Sequence, residues 1–587
     1  VLEHWNKDDQ ALITGEGDWR DASIEALVCP LVATSAPHPD DEHAIIGRSG
    51  VLVRMETSRH YYFFCIEGHA RLVLYRRENS RYTELAAREV RIDPSSYYRL
   101  RLEVFGNRLR AYCNGELIAD VFDAALRRGR VGIRTNTMAR FEGIEASMTA
   151  RAWSWLQRTR QAEEETLAEL RSRYPQPILA HEIDLEPNGG GTLITFGCFG
   201  SGASNDLLVQ TNDNDQPALM ALTFQGELIW RRIQKGKMQA IKTHDIDGSG
   251  TELIAGFSEG HIVVIRGADG VEIARRPYPK TSIFQGFGDT PAALDALYIA
   301  HLRKTPHAGD IVVKECDPGG GHTLWCFDEG LHLRWETTVD QPRHGHHICF
   351  YDFDGDGREE VCAGYHLLSP DGEVIWRIEG GRSFDAFSYG RHADSCAGGD
   401  FDGDGYGEIA IVGGGEGFML CDAASGQIIA KHDVGHAQGL AVANFRRDLA
   451  GLEIHVGTRW GNYGIRAFYS ATGEHLLTFQ PDFIGQQGEP VNWSGDGEEL
   501  IFIGSSPQAF GFWNAFGQKV VPLDGLPAPV LLTDVMGDPR DEYIVQSGNK
   551  IQIYTQDRPP ANPQRVYTPI RHKRLGHPRV SYENWSP

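Results

Sequence analysis

One unit recurs along most of the chain, and it constrains the fold more than any other feature. Each copy holds a short strand, an Asp-rich loop, an apolar strand, then a turn and a closing strand. The clearest loops are HDIDGSGTELIAG (244–256), YDFDGDGREEVCAG (351–364) and GDFDGDGYGEIAIVGG (399–414). Degenerate copies follow at 443–457, 491–504 and 533–548, and closing strands such as TFQGELIWRR (223–232) and SPDGEVIWRI (369–378) complete the units. Copies fall at 193–236, 237–279, 280–340, 344–380, 390–434, 436–480, 485–521 and 528–567. That makes eight blades, or seven if the irregular third copy is set aside. A unit of this size is one four-stranded blade, and a closed ring of blades leaves no long open sheet edge. The expected fold is all-β, a β-propeller over residues 180–587, with LITFG (193–197) pairing with the last blade to close the ring.

Residues 1–150 read differently. Short β-rich runs alternate with polar turns, and YRLRLEVFGNRLRAYCNGELIADVFD (98–123) shows period-2 alternation. Leu100, Leu102 and Val104 face one way, with Arg99, Arg101 and Glu103 on the other side. Two antiparallel sheets packed face to face satisfy these runs, so a β-sandwich is expected over 1–150. Residues 151–174 lack Gly and Pro and read as a helix stopped by Pro175 and Pro177, giving a helical linker over 151–179.

Charge follows the same division. The chain carries 57 Lys and Arg against 80 Asp and Glu, a net of −23. Residues 1–150 hold 20 Lys and Arg against 22 Asp and Glu, a balance of −2, which leaves −21 to the repeat half. Such acidity argues against a nucleic-acid backbone or an anionic membrane as partner. No apolar run has the length of a membrane-spanning helix. No secretory leader is visible behind Val1, and localisation stays open between export with the leader removed and the cytoplasm. The ten cysteines are scattered, mostly in strand-like runs and without a CxxC pair, so buried thiols are expected rather than a disulfide framework.

The Asp-rich loops predict metal sites. Asp352, Asp354, Asp356 and Glu360 occupy alternating loop positions, as do Asp400, Asp402, Asp404 and Glu408. Alternate carboxylates wrap one hard cation, with Gly355 or Gly403 at the sharp turn, and calcium suits so many flexible oxygen ligands. Asp245 and Asp247 form a weaker version, with Ser249 in place of an Asp. Bound ions of this kind pin strands and need play no part in catalysis.

Counting eight residues back from the first residue of each loop gives His344 from Asp352, His392 from Asp400, His436 from Asn444 and Lys237 from Asp245. Equal offsets on equivalent strands place side chains at one height around a propeller axis. His346 and His347 lie in the same stretch, and Asp394 is the one carboxylate that stands out in this layer. Acid–base catalysis, ligand binding and a metal held by imidazoles all fit, against the plain reading of structural histidines.

Two resemblances add to this. The run from GVLVR to GRVGIRTNTMARFEGIEAS (129–147) resembles the concanavalin-like (laminin-G-like) jelly roll, whose members serve as glycan-binding or docking modules. In the repeat half, GHAQGLAVANFRRDLAGLEIHVG (435–457), the two DFDGDG loops and the TDVMGDPRDEYIVQSGNKIQIYT tail (533–555) resemble the rhamnogalacturonan lyases of polysaccharide lyase family 11. The resemblance implies a polysaccharide lyase that cleaves a rhamnose–uronic acid linkage by β-elimination, with calcium as cofactor and an acidic polysaccharide or oligosaccharide as partner. A base removes the proton on uronate C5, cations neutralise the adjacent carboxylate, and an acid assists departure of the C4 oxygen. On that reading His344 or His392 is the base, with His436 or Lys237 as its partner. Arg343 or Arg391 binds the carboxylate, and Tyr389, Arg459 and Trp460 line the sugar groove. The alternatives are a glycoside hydrolase on the same scaffold, which asks for two placed carboxylates, and a non-catalytic glycan-binding propeller. Oligomeric state is open.

Overall fold

Strict alternation gives the N-terminal strands two faces. In Tyr98–Phe105, Leu100, Leu102 and Val104 are buried while the residues between them are not. They pack with Val51, Val53, Tyr62 and Phe64 of a second sheet in one apolar core. Each sheet has six antiparallel strands. One runs Leu2–His4, Ala139–Met148, Ala22–Pro30, Tyr98–Phe105, Arg108–Cys113, Glu116–Phe122. The other runs Gln10–Thr14, Arg130–Thr135, Arg48–Thr57, His60–Glu67, Arg71–Glu78, Arg81–Glu89. Asn114 (φ 50°) and Gly115 (φ 85°) form the two-residue turn between Cys113 and Glu116, which needs two positive φ values. This computed structural model describes residues 2–4, 10–31, 46–200, 202, 205–279, 297–306, 309–315, 322–340, 344–378, 393–459, 464–484 and 488–568.

The helix runs Ala150–Arg173, capped by the Thr149 side chain on the Ala152 N–H. It bridges the two halves. Arg160 holds Asp18 of the sandwich at 2.9 and 3.1 Å, and Arg171 donates to the Lys519 carbonyl. No helix among the described residues is long and apolar enough to cross a membrane.

The rest of the described chain forms eight four-stranded antiparallel sheets. In chain order they span 192–233 (sheet I), 239–277 (II), 297–338 (III), 349–377 (IV), 395–432 (V), 437–479 (VI) and 489–522 (VII). Sheet VIII joins Pro177–Asp184 to three strands at 531–556. The irregular third copy makes a full four-stranded sheet, Leu297–Ala300, Asp310–Lys314, Thr323–Phe327 and Leu333–Thr338. The strand that enters the last sheet is Pro177–Asp184, with Ile183 opposite Ile551, and not LITFG. Thr192–Gly197 instead opens sheet I, where Leu193 and Phe196 are buried. Both are end strands of their sheets and differ in polarity: Pro177–Asp184 is mostly exposed, whereas the more apolar Thr192–Gly197 buries Leu193, Phe196 and Gly197.

Each neighbouring pair of sheets shares an apolar cluster. These clusters join I to II, II to III, and so on to VII with VIII. A further cluster joins VIII back to I, through Ile183, Ile544 and Ile553 against Leu193, Val209 and Met220.

Carboxylates reinforce this succession in two ways. The first residue of the second strand is Asp206, Asp310, Glu360, Glu408, Glu453 or Glu542 in six of the sheets. Each accepts a backbone N–H from its own sheet's first turn, at Phe199, Leu302, Phe353, Phe401, Arg446 and Val535 respectively. In four sheets the preceding residue clamps the neighbour. Glu252, Glu359, Glu499 and Asp541 each donate a backbone N–H to the carbonyl of Cys198, His301, Asn444 and Asn492, while the carboxylate takes the N–H of that same residue. Both backbone groups at each junction are thus satisfied where two sheets meet.

Candidate functional site

The stretches that open sheets IV, V and VI converge. His346 precedes Cys349–Tyr351, Asp394 precedes Ser395–Gly399, and His436 precedes Ala437–Ala443. Asp394 is fully buried. His436 Nε2 lies 3.4 Å from its Oδ2, and His346 Nε2 lies 4.0 Å from its Oδ1. Gln438 Nε2 donates to Oδ1 at 3.0 Å, and the Gly414 N–H donates to Oδ2 at 3.0 Å. A carboxylate enclosed by these groups is held in one orientation.

Gly345 permits this approach. Its φ is +80°, and a Cβ there would stand 2.1 Å from the Ala393 carbonyl oxygen. With glycine, the His346 N–H bonds that carbonyl at 2.9 Å, drawing the 344–347 segment onto Ala393 and Asp394.

The register of eight residues before each loop names His344, His392, His436 and Lys237, and of these His436 lies beside Asp394. Positions six residues before each loop, His346, Asp394 and Gln438, are the ones in phase, and His436 shares their face because alternate strand residues point the same way. His344 is fully buried, with Nδ1 3.1 Å from the Gly345 carbonyl oxygen, to which Lys314 also donates. Lys237 is exposed ahead of the strand Gln239–His244 and is not brought into this group. Arg459 is half-buried, and its backbone N–H bonds the His436 carbonyl at 2.9 Å. Arg343, Tyr389, Arg391, His392 and Trp460 lie outside the described residues.

The sandwich reaches this side of the repeat half. Arg59 pairs with Asp433 at 2.8 Å, three residues before His436, and the Ser58 N–H bonds Gln480 Oε1 at 2.7 Å. Nothing in the sequence pattern marked Ser58 or Arg59 for this, since the contact spans more than 370 residues.

At the far end of the same strands sit the acidic loops. Oxygens of Asp352, Asp354 and Asp356 lie within 4.8 Å of one another, as do those of Asp400, Asp402 and Asp404. Glu360 and Glu408 close these loops. Burial pushes each up to about 7, the N–H of Phe353 or Phe401 opposes this, and the three neighbouring aspartates reinforce it. Crowded carboxylates with that electrostatic cost fit a divalent cation. The loop at Asp245 and Asp247 differs. Asp245 Oδ1 is buried without a hydrogen-bond partner, yet Ser249 replaces the third Asp and Leu253 stands where Glu360 and Glu408 do. Among the described residues that loop does not gather three carboxylates.

No protein-family model and no curated protein matches the chain. Solved structures do. The chain is similar to rhamnogalacturonan lyases over most of its length. The rhamnogalacturonan lyase YesW is 15% identical with a TM-score of 0.44, covering 88% of this chain and 91% of that one. The exotype rhamnogalacturonan lyase YesX is 14% identical with a TM-score of 0.46, covering 94% and 90%. A Bacillus licheniformis rhamnogalacturonan lyase of family PL11 is 16% identical with a TM-score of 0.44, covering 97% and 92%. Values of this size do not carry a reaction across, and the chemistry rests on this chain's own residues.

Proposed function

We propose that the protein is a polysaccharide lyase acting on a rhamnose–uronic acid polymer by β-elimination. The observation that carries this reading is the buried Asp394 carboxylate with His436 and His346 on its two oxygens, drawn from three consecutive sheets. Elimination needs one group to take a proton and another to give one. His436, nearer to Asp394, is the imidazolium in this reading and protonates the departing C4 oxygen. His346, farther away and with its side chain 25% exposed, is the neutral base for the C5 proton. The C5–H electrons form the C4–C5 double bond as the C4–O bond breaks. Arg459, joined to His436 through the backbone, is the cation for the uronate carboxylate, with Arg343 and Arg391 as partners. His344, His392, Tyr389 and Trp460 border the same channel in this reading.

The architecture proposed with it is an eight-bladed propeller over 180–587, closed by Pro177–Asp184, behind a 151–179 linker and a concanavalin-like sandwich over 1–150. The succession of shared clusters, ending on the one between sheets VIII and I, supports the closed ring. The proposed calcium ligands are Asp352, Asp354, Asp356 and Glu360, and Asp400, Asp402, Asp404 and Glu408. Asp352 lies six residues beyond His346, up to about 20 Å of extended chain, so calcium there would brace the loops and supply no catalytic charge.

Incubation with rhamnogalacturonan, and separately with a rhamnose–glucuronate polymer, tests the reaction. A lyase releases products with a conjugated double bond that absorbs in the near ultraviolet. New reducing ends without that absorbance would make the protein a hydrolase, and neither product would make it a glycan-binding propeller.

A further inference from the structure

Sheets IV and V meet over three thiols that the reaction does not use. Cys349 and Cys362 are direct cross-strand partners in sheet IV. Cys396 comes from the first strand of sheet V. Their three sulfurs lie within 4.8 Å of one another, and the residues are 3%, 0% and 0% exposed. The surrounding cluster is apolar, with Tyr365, Leu367, Ile409, Ile411 and Met419. The described cysteines are free, so no disulfide occupies the group.

We propose that Cys349, Cys362 and Cys396 form a buried trithiolate site for one thiophilic d10 cation, Cu(I). Three observations point to it. Three sulfurs around one metal at about 2.3 Å stand about 4 Å apart in a trigonal plane, which the 4.8 Å bound admits. Thiolates select soft ions over the calcium suited to the nearby carboxylate loops. Among the described residues no fourth Cys, His, Asp or Glu ligand atom joins the group, and the cluster around it is apolar. Zn(II) sites close with four ligands, whereas Cu(I) accepts three. Cys396 Sγ sits 3.3 Å from the His347 carbonyl oxygen and 3.4 Å from that of Cys362. Metal binding releases thiol protons and replaces those contacts.

The placement gives the site a structural role. Cys349 is three residues beyond His346, and Cys396 is two residues beyond Asp394. A metal joining them would fix sheet IV against sheet V directly beneath that pair. The inference does not depend on the lyase reading, because it concerns binding and stability alone.

The test is an anaerobic titration of the reduced, full-length protein with Cu(I) against bicinchoninate, with a parallel Zn(II) arm against a chromogenic zinc chelator. The expected result is one Cu(I) withheld per chain, a sulfur-to-metal charge-transfer band in the near ultraviolet, a raised thermal midpoint and no retained Zn(II). Cys396→Ala should lose the band and the bound ion, while Cys421→Ala, a buried thiol of the same cluster outside the trio, should keep both. Cys349→Ala repeats the test if Cys396→Ala does not fold, and the wild-type titration stands without either. No retained Cu(I), Cu(I) retained by folded Cys396→Ala or Cys349→Ala, or Zn(II) held instead would overturn the assignment. So would peptide mapping that finds two of the three joined as a disulfide in freshly isolated protein.

Discussion

His436 Nε2 stands 3.4 Å from Asp394 Oδ2, on the opening stretch of the next sheet, and that carboxylate is closed off from solvent. Two residues of different sheets are thus paired, an imidazole with a buried carboxylate.

Asp394→Asn keeps the shape and removes the charge. It is expected to lower kcat on the order of 10²-fold or more, the usual worth of a positioned acid or base, with KM changing little. The alkaline limb of the pH–rate profile, set by loss of the donor's proton, should shift to lower pH, since the His436 imidazole loses the carboxylate that favours its charged form. His436→Ala and His346→Ala should each abolish most of the ultraviolet signal. Full activity in both variants would remove the channel mechanism.

Chelation should lower the thermal midpoint, and added Ca²⁺ should restore it. A ligand at 100 times its Kd stabilises by about 2.7 kcal/mol. Asp354→Asn together with Asp402→Asn should blunt the response to chelator. A midpoint unmoved by EDTA would mean that the loops are held by their own hydrogen bonds.

The clamp between sheets VII and VIII is separable from both. Asp541 is fully buried, takes the Asn492 N–H at 2.7 Å and donates to its carbonyl at 2.9 Å. Asp541→Ala leaves a buried N–H without its acceptor and should cost about 1–3 kcal/mol in denaturant unfolding. Equal midpoints for variant and wild type would show that the clamp adds nothing.

His366 gives a pH signature. Burial, and then the Arg377 charge, push it from 6.5 down to about 4 in the folded chain, with Asp340 opposing and His322 reinforcing. The unfolded chain therefore binds more protons between those values. Its contribution to stability is full above pH 6.5 and is lost as pH falls toward 4, by up to about 1.4 kcal/mol per pH unit. His366→Gln should flatten the urea midpoint's fall across that window relative to wild type, and parallel curves would contradict the assignment.

The repeat was legible because six of the eight sheets share the same local chemistry. The carboxylate at the start of a second strand binds its own sheet's first turn, so Glu360 and Glu408 recur at a fixed offset from Asp352 and Asp400. The Glu and Asp one position earlier were invisible as clamps, since their partners Cys198, His301, Asn444 and Asn492 belong to the neighbouring sheet. Around Asp394, the eight-residue offset named His436, which lies beside that carboxylate. It offered His344 where the contact to Asp394 is made by His346, because Gly345 at φ +80° re-aims the chain just before the strand.

An all-β chain, a sandwich-like first part, a bridging helix and a serial array of sheets with acidic loops were legible from the order of residues. Those features follow from periodicity and turn chemistry, which act over a few residues. Only the tertiary structure decided that Pro177–Asp184 enters the last sheet, that Arg59 meets Asp433, that two imidazoles converge on Asp394, and that three cysteines converge between sheets IV and V. Each of these is a contact between segments remote in the chain, set by which sheet packs against which, and no local pattern of residues encodes that.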